Sequence, residues 1–149
     1  MQAPLPPTTR LWITLDRVHN VLGRRIHNKM AQFNLTAPQY GVLRRLGEGG
    51  TRTAQALAQD MGVTPGNLTG VVDRLEQCGL VRRDRSDADR RSVLLQLTEA
   101  GQALHDRSVP EVRRYVAELF APLTPEETRF AQTLLERLEA HLQREEVSA

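Results

Sequence analysis

A mainly α fold with a small β component is what this 149-residue sequence predicts. Three observations carry it. Apolar residues recur at spacings of three and four along most of the chain, the mark of amphipathic helices. Two short β-like runs, residues 80–83 and 92–97, are confined to one central stretch. Threonines at 36, 53, 64, 98 and 124 stand where helices should begin and can cap their free N–H groups.

The elements follow in order. Residues 1–9 are Pro-rich and read as a flexible arm. Residues 10–33 carry Leu11, Leu15, Val18, Leu22, Ile26 and Met30 in a narrow stripe, one long helix suited to packing on another helix or subunit. Thr36-Ala37-Pro38-Gln39 is a capping-box pattern that opens a second helix, buried through Tyr40, Leu43 and Leu46. Thr53 caps a short helix to about Met61, with Leu57 and Met61 facing inward. After the Gly62-Val63 turn, Thr64-Pro65 starts the next helix, with proline at the first position, where its missing N–H is harmless. Leu68, Val71, Val72 and Leu75 form its apolar stripe. Helix, tight turn, helix is the helix-turn-helix pattern.

The two short strands then flank residues 84–91, a loop too long and polar for a tight hairpin, so it should project as a wing. Thr98 caps a long helix in which the spacing continues past Pro110, which predicts a kink rather than a stop. Thr124-Pro125-Glu126-Glu127 opens a last helix carrying Phe130, Leu134, Leu135, Leu138 and Leu142. The whole is a winged helix-turn-helix over residues 36–97, with long terminal helices over 10–33 and 98–145, all within one domain spanning 10–149. The apolar stripes of the terminal helices exceed what the central unit can cover, and such patches mark interfaces. A homodimer is the plain expectation.

Composition excludes several classes. No run of about 18 apolar residues is present, so no membrane span is expected. Residues 1–7 have neither a basic region nor an apolar core, so they do not read as a secretory signal. One cysteine excludes an internal disulfide framework and fits a cytoplasmic protein. The net charge of +2 is unevenly spread: +5 over residues 1–63, +1 over 64–98 and −4 over 99–149. The C-terminal third should therefore face away from phosphate.

A short helix followed by a basic hairpin is a device for gripping duplex DNA. On the helix after the turn, the outward positions near its start are Pro65, Gly66, Asn67, Thr69, Gly70 and Asp73. Small residues let the backbone lie close to a groove floor. Thr69 can donate to phosphate or meet a thymine methyl, Asn67 can pair with adenine, and Arg74 can reach guanine or phosphate. In the wing, Arg82, Arg83, Arg85, Arg90 and Arg91 surround a loop that also holds Asp84, Asp87 and Asp89. An aspartate that braces an arginine would aim it into a narrow minor groove. A solvated charged loop is the plainer account of the same residues.

Asp89-x-Arg91, five residues, Leu97-Thr98, two residues, Gly101 resembles the signature of MarR-type transcription regulators. Val72-Asp73-Arg74-Leu75-Glu76-x-x-Gly79-Leu80-Val81 is similar to the end of their recognition helix. The resemblance covers roughly residues 10–145. It implies a homodimeric winged helix whose two wings straddle a pseudo-palindromic operator on double-stranded DNA. It also implies that Arg91 is the minor-groove arginine with Asp89 its brace, and that Arg90 meets a phosphate. Such proteins usually repress, and they often release DNA when a small molecule binds between the dimer helices and the DNA-binding lobe. Trp12, Arg17, His19, His27, Tyr40 and Arg44 are the aromatic or polar candidates for that pocket, and an Arg beside a Tyr or His suits a phenolic or carboxylate ligand.

Other chemistries find no support. The peroxide-sensing branch of the family uses a cysteine in its first helix, and this chain has none there. Cys78 closes the recognition helix, where the dipole disfavours a thiolate, and reads as a small structural residue. His19, His27, His105 and His141 are dispersed, so no metal site is expected. No Gly-rich phosphate loop or nucleophile–base motif is present, so neither a cofactor nor an enzyme is expected.

Overall fold

The computed structural model describes residues 4–85 and 93–147, except the side chains of 85 and 145–147. Among them are six helices and a three-stranded sheet: α1 (Pro7–Ala31), α2 (Ala37–Gly49), β1 (Arg52–Thr53), α3 (Ala54–Met61), α4 (Pro65–Gln77), β2 (Val81–Arg85), β3 (Val93–Leu97), α5 (Glu99–Leu119) and α6 (Pro125–Val147). The chain forms two compact units, Met1–Arg113 and Arg114–Ala149.

The threonines behave as their positions predict. Thr36 forms a full capping box with Gln39. The hydroxyls of Thr53 and Thr64 accept from Ala56 N and Asn67 N, so α3 and α4 each start with a satisfied N–H. The start of α1 differs from expectation. α1 begins at Pro7, inside the segment read as an arm, because Pro7 occupies the first helical position. α5 runs through Pro110 as one element.

In the first unit, the core is built from one stripe of each element. Val42, Leu43 and Leu46 of α2, Leu57 of α3, and Leu68, Val72 and Leu75 of α4 are buried. Val81 and Leu95 of the sheet and Val109 and Val112 of α5 complete it. Val71 of the α4 stripe and Met61 of α3 are only half-buried. Burying the seven large residues of α2, α3 and α4 contributes roughly 1.5–3 kcal/mol each, which is what orients the helix pair.

The sheet has order β1-β3-β2, antiparallel throughout. β1 is an addition to the two strands predicted. It is two residues long, pairs Arg52 with Leu95 and Thr53 with Leu94, and leads directly into α3. Its residues read locally as a helix entry, and only the partner strand makes them a strand. β2 also extends two residues further than expected, to Arg85.

Candidate nucleic-acid interface

The helix-turn-helix is held by polar contacts as well as by its core. Arg45 of α2 sends Nε to Asp60 Oδ2 at 2.8 Å and Nη2 to the Asp60 carbonyl at 3.2 Å, and Arg52 reaches the same carboxylate at 3.4 Å. One carboxylate thus ties α2, β1 and the end of α3 together.

The first turn of α4 is open. Pro65, Gly66, Asn67, Thr69, Gly70 and Arg74 are all exposed. A Cβ placed on Gly66 or Gly70 would meet nothing within 4 Å. Neither glycine is therefore required by packing, although each lowers helix stability by about 1 kcal/mol relative to alanine. Arg74 has no ion-pair partner among the described residues. Two of the outward positions have partners within the protein. The exposed Thr69 hydroxyl donates to the Pro65 carbonyl at 2.9 Å, so its proton is already engaged within the protein. Asp73 is not a free outward group, because it is paired with Arg83 of β2 at 2.5 Å.

Behind α4, the chain is locked at the base of the wing. Gly79 takes a φ of 69°, a left-handed value that suits glycine and lets the chain turn from helix to strand. Thr98 then closes the structure from the other side. Its hydroxyl donates to the Gly79 carbonyl at 2.6 Å and accepts from Gly101 N at 3.0 Å, and its own N–H donates to the Leu80 carbonyl at 3.1 Å. The Leu97-Thr98-x-x-Gly101 spacing is thus a physical requirement: the threonine caps α5 and staples it to the turn after α4. Cys78, read from the sequence as a small structural residue, is exposed.

In the wing, Arg82 is 61% exposed and lies 3.4 Å from Asp84, on the face opposite Arg83. The side chain of Arg85, and the whole of Asp89, Arg90 and Arg91, lie outside the described residues. The brace of Arg91 by Asp89 therefore stays an expectation from the spacing.

The six pocket candidates divide into two groups. Trp12, Arg17, His19 and His27 are exposed along α1. Tyr40 and Arg44 sit one turn apart on α2, where Tyr40 is buried and Arg44 is half-buried. Two residues not foreseen join them. Glu48 takes Arg44 at 2.8 Å through one oxygen and Arg113 at 2.5 Å through the other. The Arg44–Glu48 spacing of four was a visible helical-pair signal, whereas Arg113 is 65 residues away. Burial pushes the Tyr40 phenol above its ordinary range, against the pull of Arg44 and Arg113, so it stays a neutral hydrogen-bonding group at physiological pH.

A short helix pair with an open second helix, backed by a small antiparallel sheet, defines a winged helix-turn-helix. Comparison with known proteins gives the family. The MarR family profile matches residues 35–93. The chain is 34% identical over 132 residues to the HTH-type transcriptional regulator PecS of Dickeya dadantii (strain 3937), covering 87% of this chain and 80% of that protein. It belongs to the MarR family of transcriptional regulators. Among solved structures it is similar to AbsC, a MarR family transcriptional regulator from Streptomyces coelicolor, with a TM-score of 0.87 at 27% identity over 95% of this chain and 99% of that one. Reduced AbfR bound to DNA is similar at a TM-score of 0.73 and 27% identity, over 91% and 93% of the two chains. NadR in complex with 4-hydroxyphenylacetate is similar at 0.70 and 30%, over 93% and 96%.

Proposed function

We propose that this protein is a sequence-specific DNA-binding repressor, acting as a homodimer and released from a pseudo-palindromic operator by a small aromatic or phenolic ligand. The observation that carries the DNA reading is the open first turn of α4. Its two helix-weakening glycines meet no protein atom, and Asn67 and Arg74 stand exposed beside them. Such a face suits close approach to a groove floor, with Asn67 reading adenine and Arg74 reading guanine or phosphate. The likeness to DNA-bound AbfR supports this assignment. Pro65, Gly66, Thr69 and Gly70 would line the approach, while Arg82, Arg85, Arg90 and Arg91, aimed by Asp89, would serve the wing. Selection of bound duplexes from random sequence tests the reading. A recurrent site with two half-sites about 10 bp apart is expected, as for two-fold helix-turn-helix dimers. Retention of no sequence would sink it.

Two apolar faces support the homodimer. On α1, Leu11, Trp12, Leu15 and Val18 are exposed. In the second unit, Phe130, Leu134, Leu135, Leu138 and Leu142 are exposed, and a groove of about 560 Å³ runs along α6 between Phe120, Leu123 and Leu142. Patches of this kind on a chain with no membrane-spanning helix among its described residues call for protein cover. A monomer mass at micromolar concentration, measured by sizing with light scattering, would exclude the dimer.

For the ligand, Tyr40 and Arg44 are the favoured part of the candidate set, with Trp12, Arg17, His19 and His27 on α1 as a second source of contacts. NadR's complex with 4-hydroxyphenylacetate supports a phenolic acid as the first probe. The curated relatives are transcriptional regulators, which supports a regulator rather than an enzyme. A cytoplasmic location follows from this reading.

A further inference from the structure

Side chains alternate across a strand, so Val81 and Arg83 of β2 share one face. Val81 is buried there, while Arg82 and Asp84 on the opposite face are exposed. β2 packs on α4 with that inner face, and Arg83 uses the position to reach two carboxylates at once. Its Nη2 lies 2.5 Å from Asp73 Oδ1, and its Nη1 bonds Glu76 Oε2. Asp73 and Glu76 are three residues apart, so they flank one side of the helix. The guanidinium is a planar, rigid fork. Gripping one carboxylate with each arm restrains the strand against the helix in rotation as well as in distance.

The cations around α4 thus fall into two kinds. Arg74 is exposed and has no ion-pair partner among the described residues. Arg83 has a side chain only 29% exposed, and both of its arms are engaged.

We propose that Arg83 is a positioning residue for DNA binding: by holding Asp73 and Glu76 it sets the angle between the wing strands and the recognition helix, and it does not touch DNA. The inference rests on the DNA-binding reading above. A protein that engages DNA with two elements binds more tightly when their offset is set beforehand, because less ordering is left for the encounter.

The test is a set of titrations across salt concentrations, using a duplex selected from random sequence by the wild-type protein and an unselected duplex of equal length. Arg83→Lys keeps a cation able to meet a phosphate but loses the two-armed grip. Arg83→Lys and Arg83→Ala are both expected to weaken the selected duplex about tenfold, with the unselected duplex changed by less than about twofold and the salt slope preserved. In an Asp73→Asn, Glu76→Gln background, Arg83→Ala is expected to cost less than about a further twofold, since its partners are already gone. Wild-type affinity for Arg83→Lys, with a salt slope for Arg83→Ala shallower by about one charge, would overturn the proposal and make Arg83 a phosphate contact. Unchanged affinity in both variants overturns it equally. Thermal unfolding of each variant shows whether it folds, and Arg83→Lys carries the test if Arg83→Ala does not. Failure of the wild-type protein to select any duplex strikes the DNA-binding reading, and this proposal falls with it.

Discussion

Gly101 rests directly on the backbone of Leu80: a Cβ at position 101 would stand 1.9 Å from the Leu80 carbonyl oxygen. That oxygen also accepts the Thr98 N–H, so it cannot swing away without breaking the staple between α5 and the turn after α4. Gly101→Ala is expected to destabilise the protein by at least ~2 kcal/mol, because the clash is with backbone rather than with a flexible side chain. Thr98→Ala should cost about 1–2 kcal/mol through the lost cap and the lost bond to Gly79. Urea midpoints measure both. A wild-type midpoint for Gly101→Ala would refute the close approach.

Gly66 and Gly70 make the opposite case. Nothing within 4 Å would meet a Cβ at either position, and neither has a positive φ. Gly66→Ala and Gly70→Ala should therefore stabilise the fold by up to about 1 kcal/mol each. On the DNA reading, the same substitutions should weaken binding to a selected duplex, since the added methyl faces the groove. Higher stability with undiminished DNA affinity would count against this face as the recognition surface.

Arg74→Ala is expected to weaken binding to the selected duplex by about 1–3 kcal/mol if the arginine reads a base. Equal loss on unselected duplex would make it a phosphate contact. Arg91→Ala is expected to weaken binding and to flatten A·T preference in the flanks that the wing meets. Unchanged affinity at physiological salt would remove Arg91 from the interface.

α6 supplies a pH test. The Thr124 N–H donates to Glu127 Oε2 at 2.8 Å, while the Thr124 hydroxyl accepts from Glu127 N at 3.2 Å. The bonds from Thr124, backbone first and side chain second, hold the Glu127 carboxyl below its ordinary value. A carboxyl whose pKa is lowered by folding adds stability that is complete above the unfolded pKa and is lost as pH falls through the folded one. Glu127→Gln should therefore be less stable than wild type at pH 7, with the gap closing below about pH 4. Urea titrations followed by circular dichroism at the two pH values decide it, and a gap that does not change with pH would contradict the assignment.

His105 offers a test of packing. Its ring lies 2.1 Å from where a Cβ on Gly47 would stand. Gly47→Ala is expected to destabilise by about 1–3 kcal/mol, and His105→Ala in the same chain should relieve part of that loss. Strict additivity of the two substitutions would mean that α2 and α5 do not meet through this pair.

Much of the fold could be read directly from the residues. Thr36, Thr53, Thr64 and Thr124 mark helix starts because a cap acts on N–H groups two or three residues away. The α4 stripe through Leu68, Val72 and Leu75 is visible because helical geometry turns spacing into a face. The Leu97-Thr98-x-x-Gly101 pattern identified the family and the end of the wing. These signals are local, and local chemistry is what a sequence states openly. Tertiary structure decided the rest. β1 exists only because β3 lies beside Arg52 and Thr53. Thr69 has its proton committed to Pro65, Glu48 joins Arg44 to Arg113, and Arg83 serves the recognition helix rather than solvent. Wing cations that look equivalent in sequence separate because alternation along β2 sends Arg82 outward and Arg83 toward α4. The strand's place against that helix, set by burial of Val81 and Leu75, then determines which charge finds a partner.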